Sequence, residues 1–141
     1  MIVKKLTQNN LYLLVLKKGD DIVNSLLSYC KEAKINSASV SAIGAVSEAE
    51  LGFYDLPNKK YINRIITEPM EIASLSGNIV KKDNNNIAHI HAMFSNKNMF
   101  SCGGHLIEAK VAATCEIYLT TFNEVIFREH SHSIGLNLIS D

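Results

Sequence analysis

Residues 11–34 read LYLLVLKKGDDIVNSLLSYCKEAK, and this stretch holds the two patterns that set the fold class. Its first part, residues 11–16, is a continuous apolar run, which is typical of a buried strand. Asp20 or Asp21 can then cap a helix. Beyond them, apolar residues recur at helical spacing and predict one amphipathic helix over about residues 21–34. No other part of the sequence has so strong a helical pattern.

The remainder of the chain predicts strands separated by turns. Alternating or continuous apolar runs bounded by glycine, proline or asparagine favour strands, and they occur at residues 37–43, 49–53, 61–66, 70–82, 87–95, 111–120 and 125–128. Gly77, inside the longest of these, indicates a bulge. Together the patterns predict an α+β fold, with a curved, mostly antiparallel, barrel-like sheet and one main amphipathic helix.

Length and composition bound the class of protein. The 141 residues predict a single domain spanning residues 1–141. A hydrophobic fraction of 47% with two prolines excludes intrinsic disorder, and no apolar run approaches the ~18 residues of a membrane span. The first residues lack the apolar segment and cleavage site of a signal peptide. We therefore expect a cytoplasmic protein with no membrane association.

The cysteines and the charges narrow the function further. Cys30, Cys102 and Cys115 are an odd number without CxxC spacing, so we expect free thiols rather than disulfides or a zinc ribbon. Fourteen Lys and Arg residues balance fourteen Asp and Glu residues. A neutral domain is unlike a dedicated nucleic-acid binder, which is usually strongly basic. It also lacks the self-repulsion that opposes association.

Three histidines form a candidate metal site. His89 and His91 lie two residues apart in a predicted strand and so share one face. Fourteen residues later comes His105, directly after Gly103-Gly104, which permits a tight turn and a close approach of the backbone. A hairpin between them can return His105 to the first pair. Three neutral imidazoles with room for water are the ligand set of an open zinc site.

Spacing alone leaves a simpler interpretation open for these histidines, since strand histidines often only hydrogen-bond across a sheet. A second pair, His130 and His132, lies in a polar stretch near the C-terminus. We expect that pair to be exposed and not to bind a metal.

Five short motifs in order carry a family resemblance. They are Gly44-Ala45-Val46-Ser47, Glu68-Pro69-Met70-Glu71-Ile72 leading to Ser76-Gly77-Asn78-Ile79, His89-Ile90-His91-Ala92, Gly103-Gly104-His105-Leu106, and Ala112-Ala113-Thr114-Cys115-Glu116-Ile117. From about Leu11 to Leu138, nearly the entire chain, the sequence resembles the plants-and-prokaryotes-conserved (PPC) domain, and we take residues 11–138 as its core.

The resemblance implies a compact α+β domain on a curved antiparallel sheet that assembles as a homotrimer and, in bacterial members, stands alone. Some members bind a divalent metal through histidines that match His89, His91 and His105, and we expect zinc here. The fold is also similar to that of acetolactate decarboxylase, a zinc enzyme that uses an HxH pair and a later histidine.

Three functions follow as alternatives. The family label suggests DNA binding, for which the chain offers four lysine pairs, at residues 4–5, 17–18, 59–60 and 81–82. Against it stand the neutral charge and the missing AT-hook, because Arg64 and Arg128 are the only arginines and neither adjoins a glycine. Lysines near strand ends are also explained by solvation and by protection of sheet edges.

The second alternative is a zinc-dependent lyase or hydrolase acting on a small molecule, with Glu71 as the general acid or base and Glu116 as the next choice. An ordinary ion pair or an exposed strand position explains either glutamate equally well. The third alternative is a self-associating module that senses a small ligand, whose identity the sequence does not indicate.

Overall fold

The structure is a computed structural model that describes residues 1–6 and 10–140. In this part of the chain it has nine strands and one helix: β1 Ile2–Lys5, β2 Leu11–Lys17, α1 Ile22–Glu32, β3 Ala38–Asp55, β4 Lys60–Ile66, β5 Met70–Lys82, β6 Asn85–Ser95, β7 Ser101–Thr121, β8 Arg128–Ser131 and β9 Leu136–Ile139. The predicted α+β class, with a mostly antiparallel curved sheet and one main helix, is confirmed.

Seven of the strands form one antiparallel sheet in the order β1-β2-β7-β6-β5-β3-β4. Strands β3 and β7 also pair with each other, so that β3, β5, β6 and β7 close into a ring. This closure is possible because β3 and β7 are 18 and 21 residues long and change partners along their length. Register shifts, one of them between Ala42 and Gly44, let β3 bend around the ring.

The helix lies within its predicted range and buries Ile22, Val23, Leu26 and Cys30. Its N-cap is Asp21, as predicted, but the side chain of Asp21 makes no capping hydrogen bond. The Glu108 carboxylate of β7 takes that role, accepting hydrogen bonds from the backbone N–H groups of Val23 at 2.8 Å and Asn24 at 3.0 Å. The cap therefore comes from a residue of β7, 85 positions from Val23 in sequence, rather than from Asp21.

Several strand boundaries differ from the prediction. The segments 37–43 and 49–53 belong to one continuous strand, β3, and Gly103-Gly104 lies inside β7 rather than in a turn. Long-range strand pairing explains both differences. Pairing of β3 with β5 and β7 holds the backbone extended through Gly44, and pairing of β7 with β6 does the same at Gly103 and Gly104. The predicted strand 125–128 is shifted to β8, and neither β1 nor β9 was predicted.

The bulge expected at Gly77 is also wrong. Gly77 pairs in regular register with Val40 on one side and Ile90 on the other, and the irregularity in β5 lies between Ile72 and Ser74. A Cβ atom at position 77 would collide with the carbonyl oxygen of His89 and lie 2.7 Å from the Ile90 Cα. Glycine is needed there because β6 approaches β5 closely.

The three cysteines are free thiols, as expected, with Cys30 and Cys115 buried and Cys102 exposed. Burial raises the pKa of the Cys30 and Cys115 thiols to about 12, so both behave as apolar core residues. Among the described residues, no helix combines the length and the apolar character needed to cross a bilayer.

The β8–β9 hairpin forms a separate two-stranded sheet. It is attached beside the end of β5, where the Lys81 N–H donates to the Ile126 carbonyl at 2.9 Å. At its turn, the Tyr54 hydroxyl of β3 donates to the Ile134 carbonyl at 2.7 Å. The Lys59 ammonium donates to the His132 carbonyl at 2.8 Å. These contacts hold the hairpin against the main sheet and bring Arg128 to the histidines described next.

Candidate metal centre

Strands β6 and β7 bring three histidines together. His89 and His91 share one face of β6 because Ile90, between them, points into the core and is 1% exposed. The short turn after β6 reverses the chain, and β7 runs back with His105 directly opposite His91. The hairpin predicted from the spacing of these histidines is therefore observed.

Close strand approach at this point depends on Gly103. A Cβ atom there would lie 2.6 Å from the carbonyl oxygen of Ala92, nearer than a side chain tolerates. The expected close approach of the glycine pair is thus confirmed, although the segment is a strand and not a tight turn.

The three imidazoles form a compact triangle. Their ring centroids are 5.2, 5.4 and 5.6 Å apart. One nitrogen from each ring lies within 4.8 Å of the other two. A tetrahedral zinc ion with Zn–N bonds of ~2.0–2.1 Å separates its ligand nitrogens by about 3.3 Å, so side-chain rotations that close up to about 1.5 Å would complete the geometry. His91 is exposed while the other two are half-buried, so the cluster is open to solvent on the His91 side.

The electrostatics keep the imidazoles of His89 and His105 neutral. Burial, followed by His89, His91 and Arg128, lowers the pKa of His105 to about 4. Burial and the neighbouring Arg128 and His91 also lower the pKa of His89. Neutral rings offer the lone pairs that a metal requires. The Nδ1 atom of His105 is buried with no hydrogen-bond partner among the described residues, so this donor set fits a divalent cation.

Arg128 is a site residue that the sequence did not reveal. It is 8% exposed, and its Nη2 atom lies 3.0 Å from Nδ1 of His89 and 3.2 Å from Oδ1 of Asn78. Its Nη1 atom donates to the Asn137 carbonyl at 2.9 Å. Because 39 residues separate Arg128 from His89, no local pattern signals the contact. The one feature of the sequence that could have singled out Arg128 is that the chain has only two arginines.

A cavity of about 270 Å³ lies beside the cluster. Its polar wall is formed by His89, His105, Arg128, Tyr61 and Asn137. Its apolar wall comes from the end of β6 and from β9, through Ile87, Ala88, Leu136 and Leu138. The Tyr61 ring lies 5.1 Å from the His105 ring, and burial raises the pKa of the Tyr61 hydroxyl. The pocket is thus small, mixed in character and joined to the histidines.

The proposed acid–base glutamates lie away from the histidines within one chain. Glu71 is exposed and pairs with Ser95, four positions along β6 from His91, or about 13 Å at ~3.3 Å per residue. Glu116 pairs with Val15 and Ile43, in the opposite half of β7 from His105. The described metal cluster contains no carboxylate, and an acid–base role for Glu71 stays a prediction.

The second histidine pair is exposed, as expected. His130 lies on β8 and His132 in the following turn, with ring centroids 5.0 Å apart. No third metal-ligating side chain joins them among the described residues.

Comparison with solved structures supports the fold over the full length of the chain. A protein from Bacteroides thetaiotaomicron, named as a conjectured DNA-binding protein, has a TM-score of 0.94 and 30% identity, with 99% of this chain and 96% of that chain covered. A metal-containing protein from Archaeoglobus fulgidus has a TM-score of 0.86 and 36% identity, with the same coverage.

More distant relatives share the fold alone. The acetolactate decarboxylase of Bacillus subtilis has a TM-score of 0.56 at 11% identity, with 86% of this chain and 57% of that chain covered. A comparison with curated protein sequences finds no significant match.

The family itself is shown by sequence. The family model of the Plants and Prokaryotes Conserved (PCC) domain matches residues 3–123, which include all three histidines of the cluster. It is the family that the five motifs indicated, and the β8–β9 hairpin lies beyond the matched residues. The chain therefore belongs to the Plants and Prokaryotes Conserved domain family.

Proposed function

We propose that this chain is a homotrimeric metal-binding protein that holds zinc through His89, His91 and His105. The observation that carries the proposal is the convergence of three imidazoles, with one nitrogen from each within 4.8 Å of the others. The Archaeoglobus relative, 36% identical, is named as a metal-containing protein, which supports the same property here.

Each histidine has a distinct part in this site. His105 offers a buried Nδ1 atom without another partner, and His91 offers its ring from the solvent side. His89 completes the set, and its Nδ1 atom lies 3.0 Å from Nη2 of Arg128. A zinc ion bound to three histidines keeps a fourth position for water or a ligand and acts there as a Lewis acid. Tyr61 and Arg128 line the adjoining cavity and would meet a ligand at that position.

The trimer is supported by the apolar surface of the single chain. Phe53 on β3 is 70% exposed, and Ile65 on β4 is 65% exposed. These side chains lie on the pair of strands that ends the seven-stranded sheet. Large apolar side chains on an edge of a neutral molecule favour burial between copies. Light scattering at micromolar concentration is expected to give three times the chain mass, and a monomer would contradict the trimer.

The metal proposal is tested on protein purified without a histidine tag. We expect close to one zinc per chain by elemental analysis, and loss of that zinc in His91→Ala and His105→Ala. His130→Ala is the matched control, because His130 belongs to an HxH pair outside the cluster. Equal zinc content in wild type and in the cluster variants, or no zinc above background, would overturn the proposal.

DNA binding is the second candidate, and the name of the Bacteroides relative favours it. Two of the lysine pairs are partly engaged within the chain, since Lys59 donates to the His132 carbonyl and Lys82 lies 3.5 Å from the Asp83 carboxylate. With zero net charge, binding would have to rest on a local patch. A gel shift with duplex DNA at low salt supports this candidate if it weakens steeply as salt rises. No shift at low salt excludes it.

A further inference from the structure

Arg128 is a buried cation with no anionic partner among the residues that the structure describes. It is 8% exposed, its Nε atom has no hydrogen-bond acceptor, and no described carboxylate lies within 4.0 Å of its guanidinium. Buried guanidinium groups are normally paired, because an unpaired charge in a poorly solvated site is costly. The neighbours it does have, Asn78, His89 and Asn137, are all neutral acceptors. No negative charge of the described residues therefore balances the guanidinium of Arg128.

Metal binding at His89 would leave Arg128 with one hydrogen-bond acceptor fewer. Arginine nitrogens only donate, so Nδ1 of His89 accepts the hydrogen bond and the ring proton of the neutral imidazole sits on Nε2. In that state neither nitrogen of His89 has a free lone pair. A metal can use His89 only after Arg128 withdraws from it. The Nη2 group of Arg128 then loses an acceptor beside an Nε group that already has none.

The cavity beside Arg128 indicates what would replace the lost acceptor. Its volume of about 270 Å³ lies just below the ~300–1,000 Å³ of common ligand sites, so the occupant is small. One wall is apolar, formed by Ile87, Leu136 and Leu138, and none of the described residues that line the cavity is acidic. A guanidinium presents its N–H groups in a fork that matches the two oxygens of a carboxylate. A short alkyl chain would suit the apolar wall.

We propose that this cavity binds a short-chain monocarboxylate through Arg128, and that the carboxylate and the metal bind cooperatively. The carboxylate draws Arg128 away from His89 and so frees the imidazole lone pair for the metal. A bound metal in turn displaces Arg128 toward the carboxylate, so the coupling is reciprocal. The cooperative part rests on the metal site proposed above, whereas the carboxylate subsite stands on Arg128 and the cavity alone.

Isobutyrate is the probe, and uncharged isobutyramide of nearly the same shape is its control. Zinc-free wild-type protein is titrated with each and followed by backbone amide shifts. We expect saturable binding of isobutyrate with a dissociation constant on the order of 1 mM, with shifts in β8 and β9, and no saturable binding of isobutyramide. Equal binding of the two compounds would overturn the subsite, whatever the variants do.

The variants separate the role of Arg128 from general charge. Arg128→Gln is expected to weaken isobutyrate binding at least tenfold. Arg64→Gln, which removes the chain's other arginine at an exposed position on β4, is expected to leave it unchanged. Thermal unfolding of both variants checks that they are folded. If Arg128→Gln is folded and binds isobutyrate like wild type, the subsite is wrong.

Zinc affinity then tests the coupling. Saturating isobutyrate is expected to tighten zinc binding by wild type about fivefold or more, and to have no such effect on Arg128→Gln. Unchanged zinc affinity in wild type would contradict the coupling. If wild type binds no zinc at all, the proposed metal function fails, while the isobutyrate titration of the zinc-free protein still decides the carboxylate subsite.

Discussion

The helix cap formed by Glu108 gives a quantitative test of how β7 holds α1. The N–H groups of Val23 and Asn24 donate to the two different carboxylate oxygens of Glu108. Glu108→Gln replaces one of these oxygens with an NH2 group, which cannot accept a hydrogen bond, so only one oxygen acceptor remains. A hydrogen bond to a charged group contributes about 1.5–3 kcal/mol, and a negative charge at a helix N-terminus contributes about 0.3–1 kcal/mol. Because Glu108 is only half-buried, we take about 2 kcal/mol for the sum.

The assay is thermal unfolding at one fixed protein concentration. At ~2.1 cal/mol/K per residue, unfolding 141 residues has an entropy of about 300 cal/mol/K, so a loss of about 2 kcal/mol lowers Tm by about 7 °C. Amide exchange at Val23 and Asn24 is expected to accelerate as well. Glu124→Gln is the control, since Glu124 is exposed in a loop. A Tm shift for Glu108→Gln no larger than that of the control would refute this account of the cap.

Three further predictions concern the surroundings of the site. Gly77→Ala places a methyl group against the carbonyl of His89 and is expected to cost about 2–3 kcal/mol of unfolding free energy in urea. In metal-free protein, unfolded His105 gains a proton as the pH falls below its ordinary pKa of 6.5, whereas folded His105 does so only near pH 4. Stability is therefore lost between these pH values, by about 1–2 kcal/mol after discounting for partial exposure, and His105→Asn should lose less. Tyr54→Phe removes the hydrogen bond to the Ile134 carbonyl and is expected to loosen β8–β9 by about 1 kcal/mol, seen as faster amide exchange there.

Each of these has a contrary result. A change below about 0.5 kcal/mol for Gly77→Ala, the range of ordinary surface substitutions, would mean that β5 and β6 separate freely. Equal losses of stability from pH 7 to pH 5 in wild type and His105→Asn would show that protonation of His105 does not cause the loss. Unaltered exchange in β8 and β9 after Tyr54→Phe would show that the hairpin is held by other contacts.

The sequence was sufficient to predict the features that depend on the periodicity of a single strand or helix. The period of two along β6 placed His89 and His91 on one face, and the period of the helix placed Leu26 and Cys30 in the core. The length of chain between His91 and His105 allowed a hairpin, and the register of β6 and β7 realises it.

The features that could not be predicted depend on partners distant in sequence. Glu108 contacts α1 across 85 residues of sequence, and Arg128 contacts His89 across 39. Neither contact therefore produces a recognisable pattern in the sequence around these residues. The continuity of β3 through Gly44 likewise depends on pairing with β5 and β7. The choice of Glu71 as acid or base rested on a neighbouring strand, and the register places it four positions away from His91.

The central claim is that one divalent cation sits between His89, His91 and His105. Crystals grown with zinc and measured above and below the zinc absorption edge test it most directly. The account predicts an anomalous peak about 2.1 Å from one nitrogen of each of the three rings. An anomalous peak only at His130 and His132, or none at the three histidines, would contradict it.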